Sequence, residues 1–233
     1  AMAIEADRMR NLKINSKEFI REKKVVKQER RMRVENNIFQ SSLEKIQAES
    51  FDNSSLKHQI IGWMKDLNNI TITDLKDYYT KYYAPNNAVM VVAGDVNPNQ
   101  VYKLAKKYYG DYQPQTIDRL RIQEVQQQHE KRIKLEKSTN VPIIAMMYKI
   151  PAGNHPDIVA INALSDILIN NSSSRIKTEL KQNQGVVLDA GSFTLELRKP
   201  GYLLAYMIPM NQNEVYQTRN KFDQELKRLI NQG

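Results

Sequence analysis

Hydrophobic and polar positions along this chain alternate with two periods. Residues 3–13 are amphipathic at helical spacing and predict a short helix ending near Asn11. Asn15 or Ser16 is placed to cap a second helix over residues 17–34, with Glu18 near the capping-box position. Asn36-Asn37 then reads as its frayed end. Residues 38–70 are polar with short helical pieces, and Phe51, Leu56, Ile60, Ile61, Trp63 and Met64 suggest helices packed on a domain edge. Thr71 or Thr73 caps a helix over 74–83, where Leu75, Tyr78, Tyr79 and Tyr82 recur at helical spacing. Ala84-Pro85-Asn86-Asn87 breaks it, and the Val-rich run 88–93 predicts a buried strand. Gly94-Asp95 turns the chain, and Pro98 stands at the first position of a helix reaching Tyr109.

Pro114 and a Gln-rich run over 123–128 mark a change of character, and the pattern then restarts. Residues 132–137 alternate as a strand does, and 141–150 predict a second strand. Pro156 opens a long apolar helix over 157–169, and a shorter helix over 172–181 is closed by Gly185. Residues 186–197 and 202–209 predict a strand pair joined at Lys199-Pro200-Gly201, followed by an amphipathic helix over 214–230. The fold class is α+β, with antiparallel sheets and helices packed on one face. The expected organisation is residues 1–116 as the C-terminal part of one domain, 117–130 as a linker, and 131–233 as the N-terminal part of a second, similar domain.

The 233 residues carry 35 Lys and Arg against 26 Asp and Glu, and 41% hydrophobic residues supply enough apolar material for a core. With no cysteine, the chain holds no disulfide, thiolate zinc site, iron–sulfur cluster or Cys nucleophile. No stretch approaches the ~18 consecutive apolar residues of a membrane span, and composition leaves the compartment open. The net charge of +9 sits mainly in residues 1–35 (11 basic, 6 acidic) and 101–150 (10 basic, 5 acidic). In the first of these, acids are interleaved with the bases and no aromatic platform accompanies them. These stretches therefore read as solvated helix faces and a charged linker, not as a nucleic-acid interface. Residues 1–10 lack the character of a signal peptide, and the chain is expected to open in mid-pattern, as though cut from something longer.

Glu22 and Glu29 stand seven residues apart, two helical turns, and so share one face of the helix over 17–34 with Phe19 and Val26. Two carboxylates on a partly apolar stripe are costly to bury unless a cation meets them. The other reading is a solvated stripe in which Glu29 pairs with Arg33, one turn on.

The run Glu5-Ala6-Asp7-Arg8-Met9, then Asn11-Leu12, then Glu22-x-x-Val25-Val26-x-x-Glu29-Arg30-Arg31-Met32-Arg33-x-Glu35-Asn36-Asn37, resembles the insulinase/pitrilysin family of zinc metallopeptidases. That group also contains the mitochondrial processing peptidases. A second match runs from Asp74-Leu75 through Tyr78-Tyr79 and Tyr82-Tyr83-Ala84-Pro85-Asn86-Asn87-Ala88 to Val91-Val92-Ala93-Gly94-Asp95-Val96. A weaker third covers Ser173-Ser174-Arg175-Ile176 with Leu180 and Gly185, where the family's glycine-rich start is replaced by Asn170-Asn171-Ser172.

The resemblance implies a zinc endopeptidase acting on peptides or unfolded polypeptides through a metal-activated water. Glu29 matches the glutamate that ligates zinc, and Glu22 matches a second glutamate supporting the catalytic site. The family's other ligands lie on an inverted His-x-x-Glu-His helix preceding this glutamate. The three histidines here, His58, His129 and His155, form no such motif, and Glu29 has 28 residues ahead of it. The resemblance therefore implies zinc in an intact parent, none in this chain, and no peptidase activity from these residues alone. It is compatible with a homo-oligomer or a hetero-oligomer with a family subunit, while the charge pattern and the lack of a long apolar stretch leave no nucleic-acid or membrane partner expected. A structural, non-catalytic subunit of a two-component peptidase is the alternative.

Overall fold

A computed structural model describes residues 1–119 and 126–232. The chain divides into two compact units. The first comprises Ala1–Glu44 and Phe51–Gln126, and the second Lys45–Ser50 and Gln127–Gly233.

The first unit is helical among the described residues. Helix α1 spans Met2–Asn11 and α2 spans Ser16–Arg30, with the Asn15 side chain accepting the Glu18 N–H at the N-cap. A π turn over Arg31–Glu35 closes α2, its last N–H running from Asn36 to the Arg31 carbonyl at 2.8 Å. Asn37 is not part of a frayed end, as the pattern suggested. Its Oδ1 accepts the Gln40 N–H at 2.9 Å, capping helix α3 (Ile38–Ser50). Helix α4 (Met64–Asn69) leads into α5 (Ile72–Tyr82). There Thr71 and Asp74 form a reciprocal capping box, as the Thr-x-x-Asp spacing demands. Pro98 starts helix α6, which ends at Tyr109.

The expected buried strand over 88–93 is not formed. The segment pairs with no strand among the described residues, and Val89 and Val91 are 91% and 82% exposed. The apolar, β-branched pattern specifies a strand only together with ladder partners, which lie elsewhere in sequence and leave no local trace.

The second unit carries a three-stranded antiparallel sheet. Strand β1 is Ile144–Ile150, β2 is Val187–Leu195 and β3 is Gly201–Pro209, in the order β1-β3-β2. The expected strand over 132–137 is also absent. Among the described residues they join no sheet and are mostly exposed, their alternation being that of a solvated charged segment with Lys134 paired to Glu136. Part of the expected linker, residues 120–125, lies outside the described residues.

Helix α7 (Asp157–Ser165) continues as a π turn over Asp166–Asn170, and a second π segment follows at Lys177–Asn183. Helix α8 (Val215–Gln232) completes the unit. Leu168, Ile169, Ile176, Leu180 and Phe222 from these helical segments pack on Val187, Ala190, Ala205 and Met207 of the sheet. Alternation along β3 turns Tyr202 to the other face, where its hydroxyl accepts a 3.2 Å hydrogen bond from Gln47 of the Lys45–Ser50 segment. Gly201 faces Leu195 so closely that a Cβ would stand 1.8 Å from the Leu195 carbonyl oxygen, so the β2–β3 turn requires glycine. No helix among the described residues is long and apolar enough to cross a membrane.

Phe222 is 1% exposed at the centre of this core. Phe222→Ala is expected to destabilise the second unit by about 3–5 kcal/mol, read from urea unfolding. The Thr71 hydroxyl and backbone N–H hold the Asp74 carboxyl below the usual Asp range. A lowered folded value means the cap stabilises α5 fully above the unfolded Asp pKa of about 3.9 and is lost as pH falls through the folded value. Asp74→Asn is thus expected to melt below wild type at neutral pH, with the gap closing in acid.

Candidate functional site

Helix α2 presents Glu22 and Glu29 to solvent. The Glu22 side chain is 61% exposed, with Oε1 3.3 Å from the guanidinium of Arg21. The Glu29 side chain is 38% exposed and pairs with Arg33 across one turn at 3.0 Å, as the second reading of the sequence had it. Seven residues of helix set the two Cα atoms about 10.5 Å apart along the axis. The pair is thus a track of two accessible carboxylates along one face, not a shared pocket.

The opposite chemistry stands next to each carboxylate in the sequence. Lys23 and Arg30 are also seven apart, on a flank about 100° round the helix from the acids. Lys23 Nζ donates to the carbonyls of Asn68 at 2.9 Å and Ile70 at 2.7 Å, at the C-terminal end of α4. A cation there also meets the negative end of that helix's dipole. Arg30 is 4% exposed, and both terminal nitrogens of its guanidinium are hydrogen-bonded. Nη1 donates to Glu44 Oε1 at 2.8 Å and to the Gly62 carbonyl at 2.5 Å, and Nη2 donates to Glu44 Oε2 at 2.9 Å. Nε lies 3.4 Å from Glu35, and the Trp63 ring centroid is 5.8 Å from the guanidinium carbon. The hydrogen bond to Glu44 raises the Arg30 pKa further, against the opposing effect of burial. Gly62 supports the arrangement from the other side: its φ of +72° is left-handed, a conformation that favours glycine.

Neither Arg30–Glu44 nor the Lys23 contacts were legible in the sequence. Arg30 sits in a run of three basic residues within four positions, Arg30, Arg31 and Arg33. Its partner Glu44 is fourteen residues on, beyond any helical offset, and the Gly62 carbonyl carries no sequence signal at all.

A zinc ion takes three or four protein ligands. Among the described residues no group of three His, Cys, Asp or Glu side chains converges to hold a metal. Glu29 offers one carboxylate and no histidine accompanies it, so these residues do not make a zinc site by themselves. His58 belongs to the first unit, while His129 and His155 belong to the second. His155 Nδ1 accepts the Asp157 N–H at 3.2 Å at the start of α7. Ser174, in the third sequence match, is buried, and its carbonyl accepts from Thr178 at 2.8 Å, as the first turn of a helical run does.

The chain is thus α+β, with a Glu-x₆-Glu track on one helix of the first unit and an antiparallel sheet backed by helices in the second. The model of the Peptidase M16 inactive domain matches residues 69–233, and the chain belongs to the peptidase M16 family. The family resemblance read from the sequence thus holds, and so does the fold class. The chain is 30% identical over 207 residues to the zinc protease PqqE of Helicobacter pylori, covering 85% of this chain and 46% of that protein. It superposes on the crystal structure of a protease from Helicobacter pylori with a TM-score of 0.86 at 28% identity, over 98% of this chain and 56% of that one. It is also 32% identical over 111 residues to the mitochondrial-processing peptidase subunit beta of Rattus norvegicus, covering 48% of this chain and 22% of that subunit. The chain therefore spans about half the length, or less, of these relatives. Glu22 and Glu29 precede the residues matched by the inactive-domain model.

Breaking a buried pair leaves a desolvated charge behind. Glu44→Gln is expected to cost about 3 kcal/mol of stability in the first unit, measured by urea unfolding followed at Trp63. The exposed Glu29→Gln is expected to change that stability by less than about 0.5 kcal/mol.

Proposed function

We propose that this chain is part of a zinc-dependent endopeptidase that hydrolyses peptides or unfolded polypeptides, and that it is metal-free and inactive on its own. In this reading, residues 1–116 are the C-terminal part of one peptidase-like domain and 131–233 the N-terminal part of a second, with 117–130 between them. Zinc in such a protein supplies a Lewis acid that lowers the pKa of a bound water to near neutrality. The residues of this chain contribute carboxylates to that centre. Glu29 is the metal-ligating residue, and Glu22, two turns earlier on the same face, supports catalysis beside it.

The observation that carries this reading is the accessibility of both acids on a helix whose other flank is anchored. Glu29 is held by a single exposed arginine, a contact worth about 0.5 kcal/mol, which a metal readily displaces. A scaffold has no chemical use for two accessible carboxylates in register.

A second reading is supported by the inactive type of the matched domain and by the likeness to one subunit of a processing peptidase. There, the chain is a non-catalytic part that shapes the chamber of an active family subunit. The two readings separate on metal content and peptide hydrolysis, measured for this chain and for a form extended upstream. The expected result is no bound zinc and no hydrolysis from the chain alone. In the extended form, stoichiometric zinc and hydrolysis are expected, both lost in Glu29→Gln. An extended form without metal or activity would support the structural subunit, and activity in the short chain would contradict both readings.

A further inference from the structure

We propose that Lys23 and Arg30 are positioning residues for the two carboxylates, fixing the rotation of helix α2 about its own axis so that Glu22 and Glu29 are aimed in advance. This inference rests on the reading of those glutamates given above.

Arg30 is the one buried residue of the fifteen in α2, so no fully buried apolar side chain seats this helix. Helices packed through apolar stripes are located by shape complementarity between side chains. Here that constraint is replaced by directional polar contacts. Lys23 is tied to two backbone carbonyls, Asn68 and Ile70, and Arg30 to a carboxylate fork and a third carbonyl, Gly62. Both anchors fall on one flank, two turns apart, with the same spacing as the acids. Each follows its glutamate by one residue, so anchor and acid keep a constant angle of about 100°.

Two fixed points along one line of a cylinder leave only a hinge about that line, whereas one point leaves it free to swivel in every direction. The bidentate pairing of Arg30 with Glu44 adds a plane to its fixed point, which a lysine in its place does not supply. A site of this kind tolerates about 10–20° of angular error in its ligands. The π turn over Arg31–Glu35 starts immediately after the second anchor, so the helix is fixed before its regular geometry ends.

The absence of cysteine from the chain permits a direct test. Spin labels at Gln28→Cys and Lys65→Cys, both exposed and both in the first unit, report the orientation of α2 against α4 by pulsed electron resonance. Four backgrounds are compared: the otherwise unaltered sequence, Lys23→Met, Arg30→Lys, and the double variant Arg30→Met with Glu44→Leu. Replacing both members of a buried ion pair by apolar residues is often neutral for stability or better, so the double variant separates folding from aiming. The expected result is a narrow distance distribution in the unaltered sequence and a clearly broadened one in all three variants. The double variant should melt at or above the unaltered chain.

In the extended protein, the double variant should retain zinc about tenfold less tightly, the range seen when groups that orient metal ligands are removed. An unchanged distribution in all variants, or full zinc retention by the double variant while Glu29→Gln loses zinc, overturns the positioning role alone. If Glu29→Gln keeps its zinc, the reading of the glutamates fails instead, and the positioning role falls with it. In that case the broadened distributions still mark the anchors as what fixes α2.

Discussion

The first unit depends on one buried ion pair. Arg30 and Glu44 join α2 to α3 through two parallel hydrogen bonds, and the spare hydrogen of Nη1 draws the Gly62 carbonyl, and with it the approach to α4, onto the same guanidinium. Buried ion pairs are poor sources of net stability, because the desolvation of both charges offsets most of their attraction. What such a pair supplies is direction. A guanidinium met by a carboxylate fork and a carbonyl has one orientation, and a helix whose apolar side chains are at most half-buried takes its orientation from it. The accessible acids on the neighbouring flank inherit that orientation.

The second unit is held in the usual way. A three-stranded sheet presents Val187, Ala190, Ala205 and Met207 to helices that return Leu168, Ile169, Ile176, Leu180 and Phe222, a contiguous apolar core. Its constraints are steric, as at Gly201, where a single methyl group would strike a carbonyl of the facing strand. The two units therefore solve the folding problem differently. The unit carrying the carboxylates buries scattered apolar residues such as Val34, Leu43 and Phe51 and adds a buried ion pair, while the other buries its hydrophobic residues in one contiguous core.

The sequence made the helices legible because their signals are local. Asn15, Thr71 with Asp74, and Pro98 start α2, α5 and α6 where their chemistry requires, and the strand pair around Gly201 follows from alternation on either side of a Lys-Pro-Gly turn. The strands expected over 88–93 and 132–137 failed for a common reason. Alternation and β-branching describe a surface that a sheet can use, but the partner strand that makes it a sheet is non-local. The same divide runs through the candidate site. Glu22 and Glu29 stand out by heptad spacing and by resemblance to a family's motif. Lys23 and Arg30 share that spacing, yet their partners are backbone carbonyls and a glutamate fourteen residues away, which spacing cannot reveal. Membership of the peptidase M16 family agrees with the resemblance read from the sequence and with the fold.

The central claim is that this chain supplies one carboxylate, Glu29, to a zinc centre whose remaining ligands come from elsewhere in the protein. Anomalous diffraction at the zinc edge on crystals of the extended form tests it most directly. The account requires a zinc peak about 2.0–2.2 Å from a Glu29 carboxylate oxygen, with Glu22 nearby and no other acid of this chain in contact with the metal. A zinc peak remote from Glu29, or one ligated only by residues within this chain, would contradict it.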